Sequence, residues 1–254
     1  MSLPKVLVVA GLDPMGAAGV LADAEAVRAA GARAVVCVSS STLQTSKGVH
    51  GHFPLPAEVL ERQIRILADE EGVDAVKVGM LGSVEIARML GGLLRQPPFS
   101  AVPWVVDPVL RASAGPRLFD GGAEDYRGLF RPNVVLTPNL AEAGALAGRE
   151  APRNEEEMRA CATVLLSAGA GAVVVKGGHL EGAALDLLCR PEGVARLAGS
   201  RIPESRRGTG CRLASALAAG LARGLGEEEA LWGAKEVVRH YLEHGKLPAA
   251  PPAS

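Results

Sequence analysis

Cysteine is scarce in this sequence. There are four, Cys37, Cys161, Cys189 and Cys211, and no two of them form a CxxC pair or a metal-ligand spacing. Scattered thiols and the lack of a signal peptide favour a reducing, cytoplasmic compartment. The chain also lacks an excess of either charge, with a net charge of −1, and it has no uninterrupted apolar run that could span a bilayer. We therefore expect neither a nucleic-acid nor a membrane partner.

The 254 residues are 48% hydrophobic, which is enough for a large core. Short β-branched runs alternate with amphipathic stretches, and this alternation predicts an α/β fold with a mostly parallel sheet covered by helices on both faces. We expect one domain over residues 1–246 and a disordered Pro/Ala tail over 247–254. Strands are predicted at 5–10, 34–39, 73–78, 104–106, 134–136 and 172–175, with a hairpin at 183–189 and 193–197. Helices are predicted at 19–30, 56–70, 84–94, 123–130, 140–146, 155–167, 208–223 and 227–244.

The most informative segment runs from Gly208 through Thr209 and Gly210 to Cys211, at the start of a helix of small residues. The first N–H groups of a helix lack intrahelical partners, and glycines let a phosphate approach them closely. A thiolate is also favoured at a helix start, so Cys211 is a candidate acid or base. The alternative is a Gly-rich turn before an ordinary core helix.

Ligands bind at the carboxyl ends of strands in such sheets, so the loops there are candidate sites. The loop from Gly11 to Gly19 resembles a phosphate-binding loop, although it has neither a Walker A nor a GxGxxG pattern; the alternative is a tight strand-to-helix turn. Asp23 follows in the next helix and could bind a ligand hydroxyl or be a solvated acid. Gln44, in a loop expected over 40–46, has the donors and acceptor to read a heterocycle edge, unless it is plain polar surface.

Further candidate functional residues follow the later strands. Met80 could pack on a flat ring or simply fill the core. Asp107 ends one strand, while Asn139 and Glu142 begin a helix; such separated carboxylates can hold Mg²⁺, or they can cap helices instead. Lys176 precedes two glycines and His179, and a lysine at a strand end can bind phosphate. Together these loops predict phosphoryl transfer, in which positioning and charge stabilisation dominate catalysis.

With these residues in order, the chain resembles the hydroxymethylpyrimidine/phosphomethylpyrimidine kinases of the ribokinase-like superfamily. Cysteine after Gly-Thr-Gly is specific, because most sugar kinases of the superfamily carry aspartate there. The resemblance covers nearly the whole chain through about His244. The matching segments are 10–14, 18–20, Gln44, 77–81, 107–109, 136–143, 175–180 and 208–211.

The resemblance implies a ribokinase-like three-layer α/β/α sandwich, a homodimer, and two ATP- and Mg²⁺-dependent phosphorylations in thiamine synthesis. In this family Cys211 would be the base or proton relay, and the N–H groups of 208–211, including Gly208 and Gly210, would form the anion hole. The resemblance also implies that Lys176, Asn139, Thr209 and Gly210 bind ATP, that Asp107 and Glu142 organise Mg²⁺, and that Gly11, Asp23, Gln44, Met80 and Val109 form the acceptor pocket.

The acceptor side departs from the family pattern. Met15 and Ala17 replace the usual Ser and Gly, Leu21 replaces Gln, and Thr45-Ser46 replaces Asn-Thr. Arg207 stands where a histidine normally precedes Gly-Thr-Gly, and Arg212 stands where threonine normally follows the cysteine. Arg206, Arg207 and Arg212 could favour a highly charged acceptor or could be solvated. The alternatives are therefore a pyridoxal- or pyridoxine-type kinase, a kinase with another acceptor, and a non-catalytic pyrimidine sensor.

Overall fold

The computed structural model describes residues 2–111, 115–178, 184–200 and 202–250. Within them the chain forms nine strands and seven α-helices. The strands are β1 (Lys5–Leu12), β2 (Arg33–Thr45), β3 (Gly48–Pro54), β4 (Ala75–Val78), β5 (Trp104–Val106), β6 (Val134–Leu136), β7 (Ala172–Gly177), β8 (Ala184–Arg190) and β9 (Gly193–Gly199). The helices are α1 (Gly19–Ala29), α2 (Ala57–Glu71), α3 (Val84–Leu93), α4 (Leu140–Ala147), α5 (Glu155–Ser167), α6 (Thr209–Ala222) and α7 (Glu227–His244). Short 3-10 helices cover Phe99–Ala101 and Ala123–Leu129.

The described strands form one sheet in the order β3-β2-β1-β4-β5-β6-β7-β8-β9. The six strands β2-β1-β4-β5-β6-β7 are parallel to one another. At the two ends of the sheet, β3 pairs antiparallel with β2, β8 with β7, and β9 with β8. The chain runs outward from β1 in one direction to β2 and in the other to β4. Such a reversal leaves a crevice at the carboxyl ends of the strands, where ligands bind in open α/β sheets.

Each central strand has apolar side chains on both faces, because helices cover the sheet on both sides. In β1, Leu7 and Val9 join a core with α2, α3, α4 and α5. Val6 and Val8 point the other way and join a core with α1, α6 and α7. The predicted α/β/α layering and mostly parallel sheet are therefore confirmed. Within the described ranges, no helix combines the length and apolar character required to cross a membrane.

The structure differs from the sequence expectations near Gln44. The expected loop at 40–46 is wrong, because β2 continues to Thr45 and pairs with β3 in a two-stranded ribbon that was not predicted. The stretch expected as a helix at 123–130 is a 3-10 helix. Three parts of the expectations lie outside the described residues: His179, position 183 at the start of the expected hairpin, and positions 251–254 of the expected tail.

Candidate active site

The helix start at Gly208 has the backbone form that the sequence predicts. Gly208 is the N-cap of α6 with φ = 77°, a left-handed conformation that glycine adopts without steric cost. A Cβ atom there would lie 2.0 Å from the carbonyl oxygen of Ala17, so this position also requires glycine for lack of space. Among the described residues, no side chain caps the helix. The first-turn N–H groups, from Thr209 on, are thus left for an anion or water.

A lysine and a carboxylate face this helix start. Lys176, in β7, donates from Nζ to Oδ1 of Asp107 at 2.7 Å, and Asp107 directly follows β5. A Cβ atom on Gly210 would lie 3.3 Å from Nζ of Lys176 and 3.9 Å from Oδ2 of Asp107. Burial opposes the charge of Lys176, but Asp107 and Glu142 hold its pKa above the ordinary value. Residues predicted from three separate segments therefore meet at one point.

Glu142 and Asn139 form a complete capping box at the start of α4. Asn139 Oδ1 accepts from the N–H of Glu142 at 2.9 Å, and Glu142 Oε2 accepts from the N–H of Asn139 at 2.8 Å. The capping alternative is thus present, but it uses only one oxygen of Glu142. Burial, opposed by Lys176 and reinforced by Asp107, raises the pKa of Glu142 to about 7. The Glu142 carboxyl is therefore close enough to Lys176 and Asp107, the two groups that face α6, for their charges to act on it.

The structure corrects the expectation of a Cys211 thiolate. Cys211 is half-buried in the first turn of α6. Burial raises the pKa of its thiol to about 11, and Asp23 and Asp107 oppose ionisation as well. Lys77 and the backbone N–H of Gly19 favour the thiolate but do not offset burial. The thiol is therefore protonated at neutral pH in the free protein.

Asp23 is part of a buried ion pair that the sequence analysis missed, and it is not an open carboxylate as expected. Asp23 and Lys77 are both fully buried, with Lys77 Nζ 2.8 Å from Asp23 Oδ1. Ser215, on α6, donates to the same oxygen at 2.8 Å. Asp23 Oδ2 has no hydrogen-bond partner among the described residues. Burial raises the pKa of Asp23, although Lys77 acts to lower it. Burial acts to lower the pKa of Lys77, but Asp23, Cys211 and Asp107 together raise it above the ordinary value.

The loop after β1 is not the phosphate cradle that its sequence resembles. Asp13 is buried, and its carboxylate accepts from the N–H groups of Met15 and Ala18 at 2.9 and 3.0 Å. The N–H of Gly16 bonds the carbonyl oxygen of Asp13 at 3.0 Å. These donors are already used inside the loop. The tight-turn alternative is therefore correct, and Asp13 is the residue that shapes the turn.

The remaining acceptor-side residues lie at the ends of neighbouring strands. Gln44 is half-buried near the end of β2, opposite Val49 of β3. Met80 follows β4, and its sulfur would lie 2.7 Å from a Cβ atom on Gly11, so the glycine at the end of β1 makes room for the methionine. Val109 is half-buried beyond β5. The strand order β2-β1-β4-β5 thus places all four at one edge of the sheet.

The three arginines have different surroundings. Arg212 is 3% exposed and is bonded within the protein. Arg206 is exposed and donates to the carbonyl oxygen of Leu242. Arg207 reaches the carbonyl oxygen of Thr45 at 3.3 Å and lies 3.6 Å from Asp13 Oδ2. The expectation that all three are either solvated or turned to a charged acceptor is therefore wrong for Arg212, and Arg207 is the one that reaches the end of β2.

Two carboxylates at the carboxyl ends of the strands have the oxygen ligands that Mg²⁺ prefers. Asp107 and Glu142 are carboxylates in each other's field, beside Lys176. No cluster of three or more His, Cys, Asp or Glu side chains suited to a metal occurs among the described residues. Mg²⁺ in phosphoryl-transfer sites is usually held by one or two carboxylates, substrate phosphates and waters, so two carboxylates are sufficient.

Comparison with known proteins identifies the family of this chain. A phosphomethylpyrimidine kinase family model matches residues 13–249. A hydroxymethylpyrimidine/phosphomethylpyrimidine kinase from Streptomyces coelicolor is 39% identical over 95% of this chain and 90% of its own length. A thiamine biosynthesis multifunctional protein from Corynebacterium glutamicum is 35% identical over 94% of this chain, which spans 32% of that protein. The structure of Staphylococcus aureus pyridoxal kinase with ADP has a TM-score of 0.85 and 31% identity, over 96% of this chain and 89% of that one. The chain belongs to the phosphomethylpyrimidine kinase family.

Proposed function

We propose that this protein transfers the γ-phosphate of ATP to 4-amino-5-hydroxymethyl-2-methylpyrimidine, to its monophosphate, or to both, as steps of thiamine biosynthesis. The observation that carries the proposal is the meeting of Lys176 and Asp107 with the uncapped start of α6, across Gly210. Family membership and the half-buried Cys211 at that helix start support it. We further propose that residues 1–246 act as one catalytic domain.

In this proposal, the protein contributes mainly charge and position to the transfer. The N–H groups of the first turn of α6, after Gly208, would hold the transferring phosphoryl group. Lys176 would exchange its bond to Asp107 for a nucleotide phosphate oxygen, with Asn139 and Thr209 beside it. Mg²⁺, held by Asp107 and Glu142, would neutralise charge on the phosphates. Such stabilisation is most of what phosphoryl transfer requires.

The acceptor hydroxyl must lose a proton as its bond to phosphorus forms. Cys211 lies at the same helix start and would take that proton. Its thiol is protonated in the free protein, since its pKa is about 11. The proton-accepting form is therefore scarce at neutral pH, and we expect the rate to rise with pH while Cys211 is the acceptor of the proton.

The acceptor would lie at the edge formed by β2, β1, β4 and β5. Gln44 would read the aminopyrimidine edge, with Gly11, Met80 and Val109 lining the pocket. Asp23 could reach the acceptor only through Oδ2, because Oδ1 is used by Lys77 and Ser215. A pyridoxal kinase is the second candidate, and the likeness to the Staphylococcus aureus enzyme supports it.

An ADP-release assay with ATP·Mg²⁺ tests the acceptor. We expect turnover with hydroxymethylpyrimidine, with its monophosphate, or with both, and little with pyridoxal. A Lys176→Ala variant prepared in parallel should lose that turnover and so controls for contaminating kinases. Turnover of pyridoxal alone would replace the thiamine proposal with the second candidate. Binding of the pyrimidine without any transfer would indicate a non-catalytic sensor instead.

Replacing Gly210 by Ala should separate function from stability. The new Cβ atom would crowd Nζ of Lys176 at 3.3 Å, and the lysine would shift by a few tenths of an ångström out of the anion site. The KM for ATP should rise several-fold. Because alanine suits a helix better than glycine, the free energy of unfolding should stay within about 1 kcal/mol of wild type. Gly233→Ala on α7 has open space around it and is the matched control. An unchanged KM would contradict the placement of nucleotide phosphates beside Gly210.

We also propose that the protein is a cytoplasmic homodimer. The reduced thiols of Cys37, Cys161, Cys189 and Cys211 support a reducing compartment. Leu43 and Phe53 are 55% and 59% exposed on the β2-β3 ribbon, which gives a second copy apolar surface to cover. Light scattering after size exclusion should give twice the chain mass of 26.1 kDa, and a monomer across concentrations would contradict the dimer.

A further inference from the structure

Arg212 is a buried charge directly after Cys211. Arg212 is only 3% exposed, and arginine is rarely buried in proteins unless it is paired. Nη2 donates to Glu25 Oε2 on α1 at 3.2 Å, and the guanidinium carbon lies 3.9 Å from the centre of the Tyr241 ring on α7. Nε has no hydrogen-bond partner in the described parts of the chain. One side chain thus connects α6 with both helices that flank it.

The same guanidinium holds the loop after β1. Nη1 donates to the carbonyl oxygen of Ala17 at 2.8 Å and lies 3.5 Å from the carbonyl oxygen of Gly208. The same carbonyl oxygen of Ala17 lies 2.0 Å from the position that a Cβ atom on Gly208 would take. The loop therefore rests directly on the N-cap of α6, and Arg212 bonds it there.

The held loop leads to the reacting thiol. Two residues after Ala17, the backbone N–H of Gly19 lies beside the sulfur of Cys211 and favours its thiolate. Gly19 has φ = 62°, and a Cβ atom there would lie 2.2 Å from the carbonyl oxygen of Gly11, so its position is tightly limited. Arg212 and Cys211 are neighbours on α6, and Ala17 and Gly19 are near neighbours in the loop. The bond from Arg212 to Ala17 therefore holds the loop segment that brings Gly19 to Cys211.

We propose that Arg212 is a positioning residue that clamps the β1–α1 loop to the start of α6 and so sets the N–H of Gly19 against the Cys211 sulfur. Its Nη1 and Nη2 donors are already bonded to Ala17 and Glu25. Arg212 therefore supports turnover and does not choose between acceptors. This inference rests on the proposed kinase function, but the clamp itself is a property of the protein without substrate.

Two measurements test the clamp on the full chain. In Arg212→Met we expect faster hydrogen exchange of the backbone amides in loop 13–19, measured without ligand. We also expect kcat to fall by about 10²-fold, as for a misplacement of about 1 Å, with the KM for ATP unchanged. Arg212→Lys should recover part of both, because an ammonium can reach the Ala17 oxygen but cannot also stack on Tyr241 and bond Glu25. Arg206→Met is the matched control, since Arg206 is exposed and, in the part of the chain that the structure describes, bonds to Leu242 of α7.

The outcomes separate the clamp from its alternatives. Unchanged loop exchange in Arg212→Met would overturn the clamp, whatever happens to activity. A changed ratio of kcat/KM between the two pyrimidine acceptors, at unchanged kcat, would make Arg212 a specificity residue and would also overturn it. Should Arg212→Met not fold, Glu25→Gln and Tyr241→Leu loosen the same guanidinium and should speed loop exchange. If wild type phosphorylates no acceptor, the proposed function fails while the exchange measurement still decides the clamp.

Discussion

Cys211→Ala should lower kcat by roughly 10²- to 10⁴-fold, the usual effect of losing a group that transfers the proton in the transition state. ATP binding should remain nearly unchanged, because the expected nucleotide contacts come from Lys176, Asn139 and the backbone of α6. The change removes only the thiol, at a half-buried position in a helix where alanine is well tolerated. Steady-state kinetics with saturating ATP, together with calorimetric titration of the nucleotide, measure both quantities.

Cys161→Ala is the matched control for this experiment. Cys161 lies in α5, on the opposite face of the sheet, and its thiol is buried in the core. The same atoms are removed there, far from the start of α6, so kcat should stay within about twofold of wild type. Full turnover by Cys211→Ala would remove Cys211 from the proton transfer. A loss of ATP binding in that variant would instead show that the thiol supports the anion site.

The pH profile adds a second readout. The thiol pKa of about 11 predicts that kcat in wild type rises with pH from neutral into the alkaline range, as more of the proton acceptor is deprotonated. Cys211→Asp supplies a carboxylate, which has a much lower ordinary pKa. This variant should keep part of the activity and should reach its plateau at lower pH. A profile that is identical in wild type and Cys211→Asp would mean that another group accepts the proton.

Much of the fold could be predicted, because its central elements have strong local signals. The bounds of β5, β6, α5 and α7 agree with those expected from the sequence. Each of these strands is a short run of valines with one tryptophan or leucine, and α5 has the N-cap Asn154 with Glu157 three residues later. The ribbon strand β3 was missed, because its sequence, GVHGHFP, has two glycines and a proline. It pairs on one side only, and such edge pairing leaves a weak pattern in the sequence.

The location of the site was predicted more accurately than the contacts that its residues make. The carboxyl ends of strands in a parallel sheet share one edge, and this rule places Lys176 near Asp107, where the structure has them 2.7 Å apart. Gly210 reaches them from the first turn of α6, which the rule does not cover. Partners that are distant in sequence decide the rest. Asp23 was expected to be available to a ligand, but Lys77 and Ser215 take one of its oxygens. A lone lysine in a short strand carries no sign that both faces of that strand are covered.

Arg212 was misread for the same physical reason. A charged side chain after a phosphate-binding turn suggests a role in recognition, because arginine commonly binds phosphate. Its actual partners, Ala17, Glu25 and Tyr241, come from three other segments, and only the packing of α1, α6 and α7 brings them within reach. Sequence patterns report periodicity along one element well. They do not report which side chains from different elements meet in the interior.

The buried pair between Lys77 and Asp23 carries the largest expected effect on stability. Lys77→Met should lower the free energy of unfolding by about 3–5 kcal/mol, because it leaves the Asp23 carboxyl buried without its cation. Both side chains are fully buried and 2.8 Å apart, so water cannot replace the lost partner. Chemical denaturation of the full chain at neutral pH measures the change. Lys5→Met is the matched control: Lys5 is a strand lysine that pairs with Glu71 at the surface, and such pairs contribute about 0–1 kcal/mol.

A double-mutant cycle separates the pair from its surroundings. Asp23→Asn alone leaves the Lys77 ammonium buried without an anion and should also destabilise the protein. Combining Lys77→Met with Asp23→Asn removes both charges, and Ser215 can still donate to the asparagine oxygen. The double variant should therefore be more stable than the sum of the single losses predicts, by about 1–3 kcal/mol. Additive losses would mean that the two charges do not stabilise each other. The pair would then matter through its charges near Cys211, where Lys77 favours the thiolate and Asp23 opposes it.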